Sequence, residues 1–156
     1  MTDKICYWDD EAKEQKERDA TPEEQAEIDA RKAPEAPEVI KARVWEEIKK
    51  YRDNLVENGG CKVGAHWYHS DVISRTRYIG LMMLGASIPA GLEWKTMENG
   101  YVPITQTWVQ QVFGALFAQD GALMDAGKTH RAAMEASNDP ANYDYKIGWP
   151  ETYTGA

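Results

Sequence analysis

The stretch VIKARVWEEIKKYRDNLVENGG, residues 39–60, decides the fold of this chain. Apolar side chains recur in it every three or four residues, and lysine, arginine and glutamate fill most positions between them. That spacing predicts an amphipathic helix with one side packed on a core. The closing Asn58-Gly59-Gly60 predicts the end of the helix, because asparagine and glycine tolerate the left-handed backbone of a helix C-cap. The recurring apolar positions are Ile40, Val44, Ile48, Tyr51 and Leu55.

The sequence that follows predicts a hairpin and then a second helix. Residues 61–69 alternate loosely around a glycine, which is typical of a short hairpin. Ser70 and Asp71 are both good N-caps for a helix over VISRTRYIGLMMLGAS, residues 72–87. This segment is apolar nearly all round after Ile79, so we expect it to form the central helix. The adjacent Met82-Met83 is then expected to pack in the core.

A second hairpin and a third helix complete the predicted domain. Asn99-Gly100 lies between two short apolar arms and is a strong hairpin signal. Pro103 marks the second arm as an edge strand, since proline cannot donate to a sheet. Thr105 can cap a long helix that extends to about Ala136, with three internal glycines as candidate breaks. The aromatic-rich ending DPANYDYKIGWPETY is expected to be held against the domain.

The first 38 residues differ in charge from the rest of the chain. They hold 13 acidic and 6 basic side chains, which gives a net charge of −7 against −1 for residues 39–156. The segment 5–8 predicts a lone strand that needs a partner, and TPEEQAEIDARK, residues 21–32, a short solvated helix before a proline-rich linker at 33–37. We therefore predict two parts, an acidic N-terminal arm at 1–38 and a globular domain at 39–156. The predicted fold class is α+β, with three main helices interleaved with two short β-hairpins and an extended arm.

Charge and hydropathy argue against several classes of partner. An acidic arm and a nearly neutral domain predict no nucleic-acid binding, because phosphates would be repelled. No apolar run of about 18 residues exists, so no membrane contact and no secretion signal are expected. Cys6 and Cys61 form no CxxC pair, which predicts reduced thiols in a cytosolic protein and argues against a zinc site.

The arrangements that carry catalysis are absent or weak. His66, His69 and Asp71 have the chemistry of metal ligands, and a small metal-dependent hydrolase is the remote alternative that they suggest. On a strand the two histidines point to opposite faces, so surface histidines and a helix cap are the favoured interpretation. His130 is expected to be a cation at the negative end of its helix. We expect no cofactor, no bound metal and no catalytic residue.

Large aromatic side chains exceed what a core of this size needs. Tryptophan and tyrosine anchor protein interfaces, so we expect some of them to contact a partner chain, with a homo-oligomer left open. The predicted partner-binding residues are Ile5, Tyr7, Trp8, Trp67, Tyr68, Trp94, Tyr101, Tyr145 and Trp149.

Several stretches resemble a domain of unassigned function found at the C-terminal end of short tail and tail-fibre assembly proteins of tailed bacteriophages and prophages. They are WEEIKKYRDNLVENGGCKVGAHWYHSDVISR at 45–75, GLMMLGASIPAGLEWKTMENGYVPIT at 80–105, THRAAMEA at 129–136 and GWPETY at 148–153. RDATPEEQAEIDAR at 18–31 also resembles the segment before that domain.

This resemblance implies a phage tail context and supplies no catalytic residues. It implies a non-enzymatic structural or adaptor component of the tail-fibre or baseplate apparatus, with a fibre or baseplate protein as partner. The alternative is a tail-fibre assembly chaperone that is absent from the mature virion. The expected location is the host cytoplasm during assembly and then the virion tail.

Overall fold

Helices and small hairpins alternate along the chain in the computed structural model, which describes residues 2–33 and 35–155. Contacts within the chain divide it into two units, Met1–Ala36 and Pro37–Ala156. The predicted proline linker includes Pro34, which lies outside the described residues. The α+β class is confirmed.

The N-terminal unit begins with a hairpin of strands β1 (Lys4–Asp9) and β2 (Glu14–Asp19). Asp9 turns the chain, because its carboxylate accepts hydrogen bonds from the backbone N–H groups of Glu11 and Ala12, both at 3.0 Å. The prediction of a strand without a partner in its own chain is therefore wrong. Residues 14–19, which contain no apolar side chain, supply the second strand.

Helix α1 (Pro22–Lys32) follows this hairpin and begins with a capping box. Thr21 Oγ1 accepts from the Glu24 N–H, and the Glu24 carboxylate accepts from the Thr21 N–H at 2.8 Å. None of its described residues is buried, which confirms the predicted solvated helix.

The second unit contains helices α2 (Pro37–Asn58), α3 (Val72–Leu84) and α4 (Gln106–Ala136). Between them lie two hairpins, β3 (Cys61–Val63) with β4 (His66–Tyr68) and β5 (Glu93–Lys95) with β6 (Tyr101–Pro103). All three helices and both hairpins were predicted. Each strand has three residues, and each hairpin is a separate two-stranded sheet.

Helix α4 runs unbroken for 31 residues and forms one side of the core. Its glycines do not break it, and Gly114 and Gly121 face open space. One buried cluster gathers α3, α4 and both hairpins, and each large apolar side chain in it stabilises the fold by about 1.5–3 kcal/mol. Its buried members are Cys61, Tyr68, Tyr78, Trp108, Val109, Val112 and Leu116.

A second buried cluster joins α2 to the end of α4 through Val44, Ile48 and Met134. The aromatic C-terminal segment covers it, as predicted. Tyr153 closes this segment onto the domain, since its N–H donates to the Gly59 carbonyl at 2.8 Å and its hydroxyl to the Met97 carbonyl at 3.0 Å.

Helix α3 does not occupy the centre of the domain, so that prediction is wrong. Ser74 and Tyr78 are its buried residues, and Met83 is almost fully exposed. The aromatic rings of Tyr78, Trp94 and Trp108 pack together on the buried side of α3. The helix therefore lies at the surface, although its composition is that of a buried one.

Candidate docking groove beside helix α3

The side of α3 opposite its buried residues is apolar. Val72, Ile79 and Met83 are 65%, 48% and 84% exposed. Their spacing of seven and four residues places them, together with the uncharged Thr76, on one helical stripe about a third of a turn away from Tyr78. We call these three residues the outer face. Uncharged apolar stripes of this kind are typical of surfaces that contact another protein.

A groove of about 840 Å³ lies between α3 and strand β5. It is open to solvent along its length and mostly apolar. Its apolar lining consists of Ile73, Gly80, Leu81, Leu84, Trp94 and Ile104, and its polar lining of His69, Asp71, Ser74, Arg77, Glu93 and Lys95. We call this feature the α3–β5 groove.

Aromatic packing fixes the floor of this groove. The Trp94 ring lies 4.5 Å from the Tyr78 ring and 5.6 Å from the Trp108 ring, measured between centroids. The Tyr78 hydroxyl donates to the His69 carbonyl at 3.1 Å. Burial raises the pKa of Tyr78, so its hydroxyl stays protonated and keeps that hydrogen bond. Strand β5 and helix α3 are thus held at a set separation.

Asp71 fixes the start of the helical wall. Its carboxylate accepts from the Ser74 N–H at 2.9 Å and from the Ser74 hydroxyl at 2.6 Å. Partial burial raises the pKa of Asp71, but the hydrogen bonds from Ser74 outweigh that effect and lower it overall. Asp71 is therefore a helix cap, as predicted.

Arg77 is a charged side chain on the helical wall that makes no ion pair or side-chain hydrogen bond with the described residues. Its neighbour on the helix, Arg75, is paired with Asp120. On the strand side, Lys95 and Glu93 are exposed and likewise have no side-chain partner among the described residues. The groove thus combines an apolar floor with charges that are available to a ligand.

The predicted partner-binding residues of the second unit are distributed between core and surface. The structure buries Trp67 and Tyr68, so these two side chains are part of the core and cannot anchor a partner. Trp94 forms the groove floor, and Tyr101 is 64% exposed on β6. Of the predicted partner-binding residues in the second unit, Trp94 alone lines the groove.

Tyr145 and Trp149 lie in the C-terminal segment and contact their own chain. Their rings pack against Tyr51 at centroid distances of 6.0 and 5.6 Å. The Trp149 indole N–H donates to the Tyr145 carbonyl at 2.6 Å. Both side chains are partly buried by these contacts and serve mainly to hold the segment.

The N-terminal candidates lie together on strand β1. Trp8 is 58% exposed and Tyr7 is also exposed, whereas Ile5 is half-buried. Strand β1 is paired with β2 of its own chain. The argument that a lone strand must pair with another protein therefore does not apply to it. Tyr7 and Trp8 remain available as side chains.

The histidines do not form a cluster of ligands. His66 lies 3.8 Å from the Glu98 carboxylate, and Asp71 caps α3. Residues 2–33 and 35–155 contain no group of three histidine, cysteine or acidic side chains placed to hold a metal ion. His130 is buried in the last two turns of α4, and its ring stacks on that of Trp149.

Sequence reasoning missed the outer face and the groove. The recurrence of apolar residues at 72, 79 and 83 was visible, but a helix that is apolar nearly all round is normally buried. None of the helices within the described residues is both long and apolar enough to cross a membrane.

Comparison with known families gives one match. The model of a family described as a domain of unknown function (DUF4376) matches residues 39–147, which include the groove and the outer face. No curated protein and no solved structure matches the chain.

Proposed function

The chain belongs to this DUF4376 family, and we propose that it is a non-enzymatic tail protein of a tailed bacteriophage that works in the tail-fibre or baseplate apparatus through protein–protein contacts. The outer face of α3 carries the proposal of a protein-binding role. The resemblance of residues 45–75, 80–105, 129–136 and 148–153 to phage tail proteins supports the context.

The exposed apolar area explains why a protein partner is favoured. Met83 at 84% exposure and Val72 at 65% expose methyl groups that no residue described in the structure covers. Exposed apolar side chains favour association with another protein, because the contact removes them from water. A tail component would meet its neighbour through such a surface.

The chemistry of the polar residues supports a role without catalysis. Asp71 is engaged as a cap, Cys61 is fully buried and His130 is enclosed by aromatic rings. Burial raises the pKa of the Cys61 thiol to about 12, so it is a poor nucleophile near neutral pH. Asp71, one of the three residues that the hydrolase alternative requires, is thus occupied as a helix cap.

Quantitative mass spectrometry of purified virions tests the role in the particle. We expect the chain at a fixed ratio to the tail-fibre or baseplate proteins after density-gradient purification. Its absence from virions, together with a defect in fibre assembly when the gene is deleted, would overturn the structural role and establish the assembly chaperone instead. In that case the acidic N-terminal unit would help to keep a β-rich client soluble.

Affinity purification from phage-producing cells tests the surface. We expect the tagged chain to retain an identified fibre or baseplate protein, and Met83→Asp to lose it. Ile147→Asp is the matched control, because Ile147 is also apolar and 66% exposed but lies in the C-terminal segment. Equal retention by Met83→Asp and the unmodified chain would exclude the outer face as the contact.

A further inference from the structure

Strand β5 has one open edge. Its ladder with β6 includes hydrogen bonds from Thr96 N–H to the Gly100 carbonyl and from Ile104 N–H to the Leu92 carbonyl, both at 2.9 Å. Hydrogen-bonded and non-hydrogen-bonded positions alternate along an antiparallel pair. The N–H and C=O groups of Glu93 and Lys95 therefore point away from β6.

The position of proline supports this assignment. Pro103 faces Glu93 across the hairpin. Proline has no N–H, so it fits the position that points away from its neighbour. The outer edge of β6 therefore keeps the N–H of Tyr101 but has no donor at Pro103, whereas the outer edge of β5 keeps the N–H groups of both Glu93 and Lys95.

The open edge of β5 borders the α3–β5 groove. The consecutive residues Glu93, Trp94 and Lys95 all line the groove, and no residue of β6 does. Alternate residues would line it if the groove lay over one face of the strand, so three consecutive ones indicate that it follows the backbone edge.

This edge already makes one backbone hydrogen bond just beyond the end of the strand. The Met97 N–H, which points to the same side as that of Lys95, donates to the Trp67 carbonyl of β4 at 2.9 Å. Strand β4 ends at Tyr68. Among the described residues no backbone group continues that pairing along Glu93 and Lys95.

We propose that the groove binds an extended segment of a partner protein, which adds to β5 as a further strand and carries apolar side chains and one acidic side chain on the face that meets α3. Its backbone pairs with Glu93 and Lys95. Its apolar side chains contact Ile73 and Leu84 on the helical wall. An acidic side chain pairs with Arg77. This inference rests on the proposed function only in taking the ligand to be a protein.

Backbone chemistry favours an extended ligand over a helical one. A helix satisfies its own N–H and C=O groups and would leave those of Glu93 and Lys95 unpaired beneath it. An added strand satisfies them, and main-chain bonds then supply affinity while side chains supply selectivity. A groove between one helix and one strand edge suits that mode of binding.

Arg77 is the reason for proposing an acidic side chain on the ligand. Its guanidinium has no ion-pair partner among the described residues, whereas Arg75 on the same helix has Asp120. Arginine binds carboxylates through two parallel hydrogen bonds, which are stronger than bonds between neutral groups. Asp71 does not compete for Arg77, because its carboxylate is held by Ser74.

A synthetic peptide tests the ligand chemistry. The probe is a nine-residue peptide with blocked ends in which valine alternates with threonine and the central valine is replaced by glutamate. We call it the valine-glutamate peptide. It is titrated into the full chain and followed by nuclear magnetic resonance. We expect the amide signals of Glu93 and Lys95 to shift and their hydrogen exchange to slow. A peptide with lysine in place of glutamate should bind about tenfold more weakly, and Arg77→Glu should reverse that preference.

Two variants of Lys95 distinguish the contribution of its backbone N–H to peptide binding from that of its side chain. Lys95→Ala removes the charge and keeps the N–H, whereas Lys95→Pro removes both. The ladder with β6 does not use that N–H, so Lys95→Pro is expected to keep the hairpin. We expect Lys95→Pro to bind the valine-glutamate peptide about tenfold more weakly than Lys95→Ala.

A modified peptide keeps the test decisive if Lys95→Pro fails to fold. Methyl groups on the amide nitrogens along one edge of the peptide block strand pairing and leave the protein unchanged. We expect binding to be lost when the methylated edge would face β5. Undiminished binding of both N-methylated forms, or no binding of the unmodified peptide at millimolar concentration, overturns the proposal.

The outcomes distinguish this inference from the phage-tail role. Failure of the peptide to bind leaves the virion and affinity-purification results standing. Absence of the chain from virions and loss of every fibre or baseplate partner would remove the tail role, whereas protection of the Glu93 and Lys95 amides would still establish a peptide-binding groove.

Discussion

Arg75 of helix α3 forms a bidentate ion pair with Asp120 of helix α4, with distances of 2.7 and 2.9 Å from its two terminal nitrogens to the carboxylate oxygens. The same guanidinium donates to the carbonyls of Ser70 and Val56. The nearby carboxylate raises the pKa of Arg75, and the side chain remains charged. One arginine therefore ties α3 to α4 and to the end of α2, which fixes the helical wall of the groove.

Replacing Asp120 by alanine is expected to destabilise the protein by about 2 kcal/mol. The substitution leaves a partly buried guanidinium without its carboxylate. Urea denaturation followed by circular dichroism measures the change. Asp125→Ala is the control, because Asp125 pairs with Lys128 at the exposed surface and should cost about 0.5 kcal/mol or less. Equal losses in the two variants would contradict the structural role of the Arg75 pair.

Substitutions of the adjacent α3 residues Tyr78 and Ile79 should differ greatly in their effect on stability. Ile79→Lys is expected to change the free energy of unfolding by about 0.5 kcal/mol or less, because Ile79 is exposed. Tyr78→Ala should lower it by about 3–5 kcal/mol, since the ring is fully buried. Chemical denaturation checks both. A large loss in Ile79→Lys would mean that α3 is a core helix after all.

Glycine substitutions should separate open from crowded positions. Gly121→Ala is expected to stabilise α4 by about 1 kcal/mol, because alanine favours a helix and the added methyl group meets nothing. Gly59→Ala should destabilise the protein, since the Cβ of the new alanine would overlap the Leu55 carbonyl oxygen and lie 2.7 Å from Thr152 Cγ2. Thermal denaturation should move the two midpoints in opposite directions.

The two cysteines should differ in reactivity. Cys6 is exposed and Cys61 is buried, with the pKa of Cys61 raised to about 12 by burial. Ellman's reagent at pH 8 should therefore label one thiol per native chain and two in 6 M guanidinium chloride, a strong denaturant. Cys6→Ser should abolish the native reaction. Rapid labelling of two thiols in the native protein would show that the main core opens.

The N-terminal unit should lose stability in acid. The pKa of Glu24 is lowered to about 2, first by its hydrogen bond from Arg18 and then by the backbone N–H of Thr21. A carboxylate with a lowered folded-state pKa stabilises above its unfolded value of about 4.3, and that contribution is lost as the pH falls to about 2. The protection of the α1 amides against hydrogen exchange, measured relative to an unstructured chain at the same pH, should fall over this range.

Glu24→Gln provides the control for the acid transition. The amide retains an acceptor for the Thr21 N–H but cannot carry the charge that pairs with Arg18. Protection of the α1 amides should be lower than in the unmodified chain at pH 6 and should change less between pH 4.3 and 2. An unaltered acid profile would assign the transition to the other carboxylates of this unit, Asp3, Asp9 and Asp19, whose pKa values are also lowered.

Elements with local signals were predictable. Thr21, Asp71 and Thr105 are N-caps in the structure, and each accepts the backbone N–H three residues ahead. The β1–β2 hairpin was not predicted, because β2 is entirely polar and lacks the alternation that marks a strand. Its turn depends on the carboxylate of Asp9, and side chain to backbone bonds leave little trace in hydropathy.

The candidate site was only partly predictable. Trp94 was singled out as an aromatic anchor, and the structure places it on the groove floor. Arg77 was not singled out, because its importance depends on having no partner. The same reasoning could not foresee that Trp67 and Tyr68 are buried, since exposure of an aromatic residue depends on which elements pack over it.

The sequence by itself determined the helices and two of the three hairpins, because periodicity, caps and glycine act within a few residues. It also determined that the acidic charge is concentrated in the first 38 residues. Only the tertiary structure decided which side of α3 meets the core. That choice depends on Tyr78, Trp94 and Trp108 packing together from three separate segments, and it leaves an apolar outer face and an open strand edge at the surface.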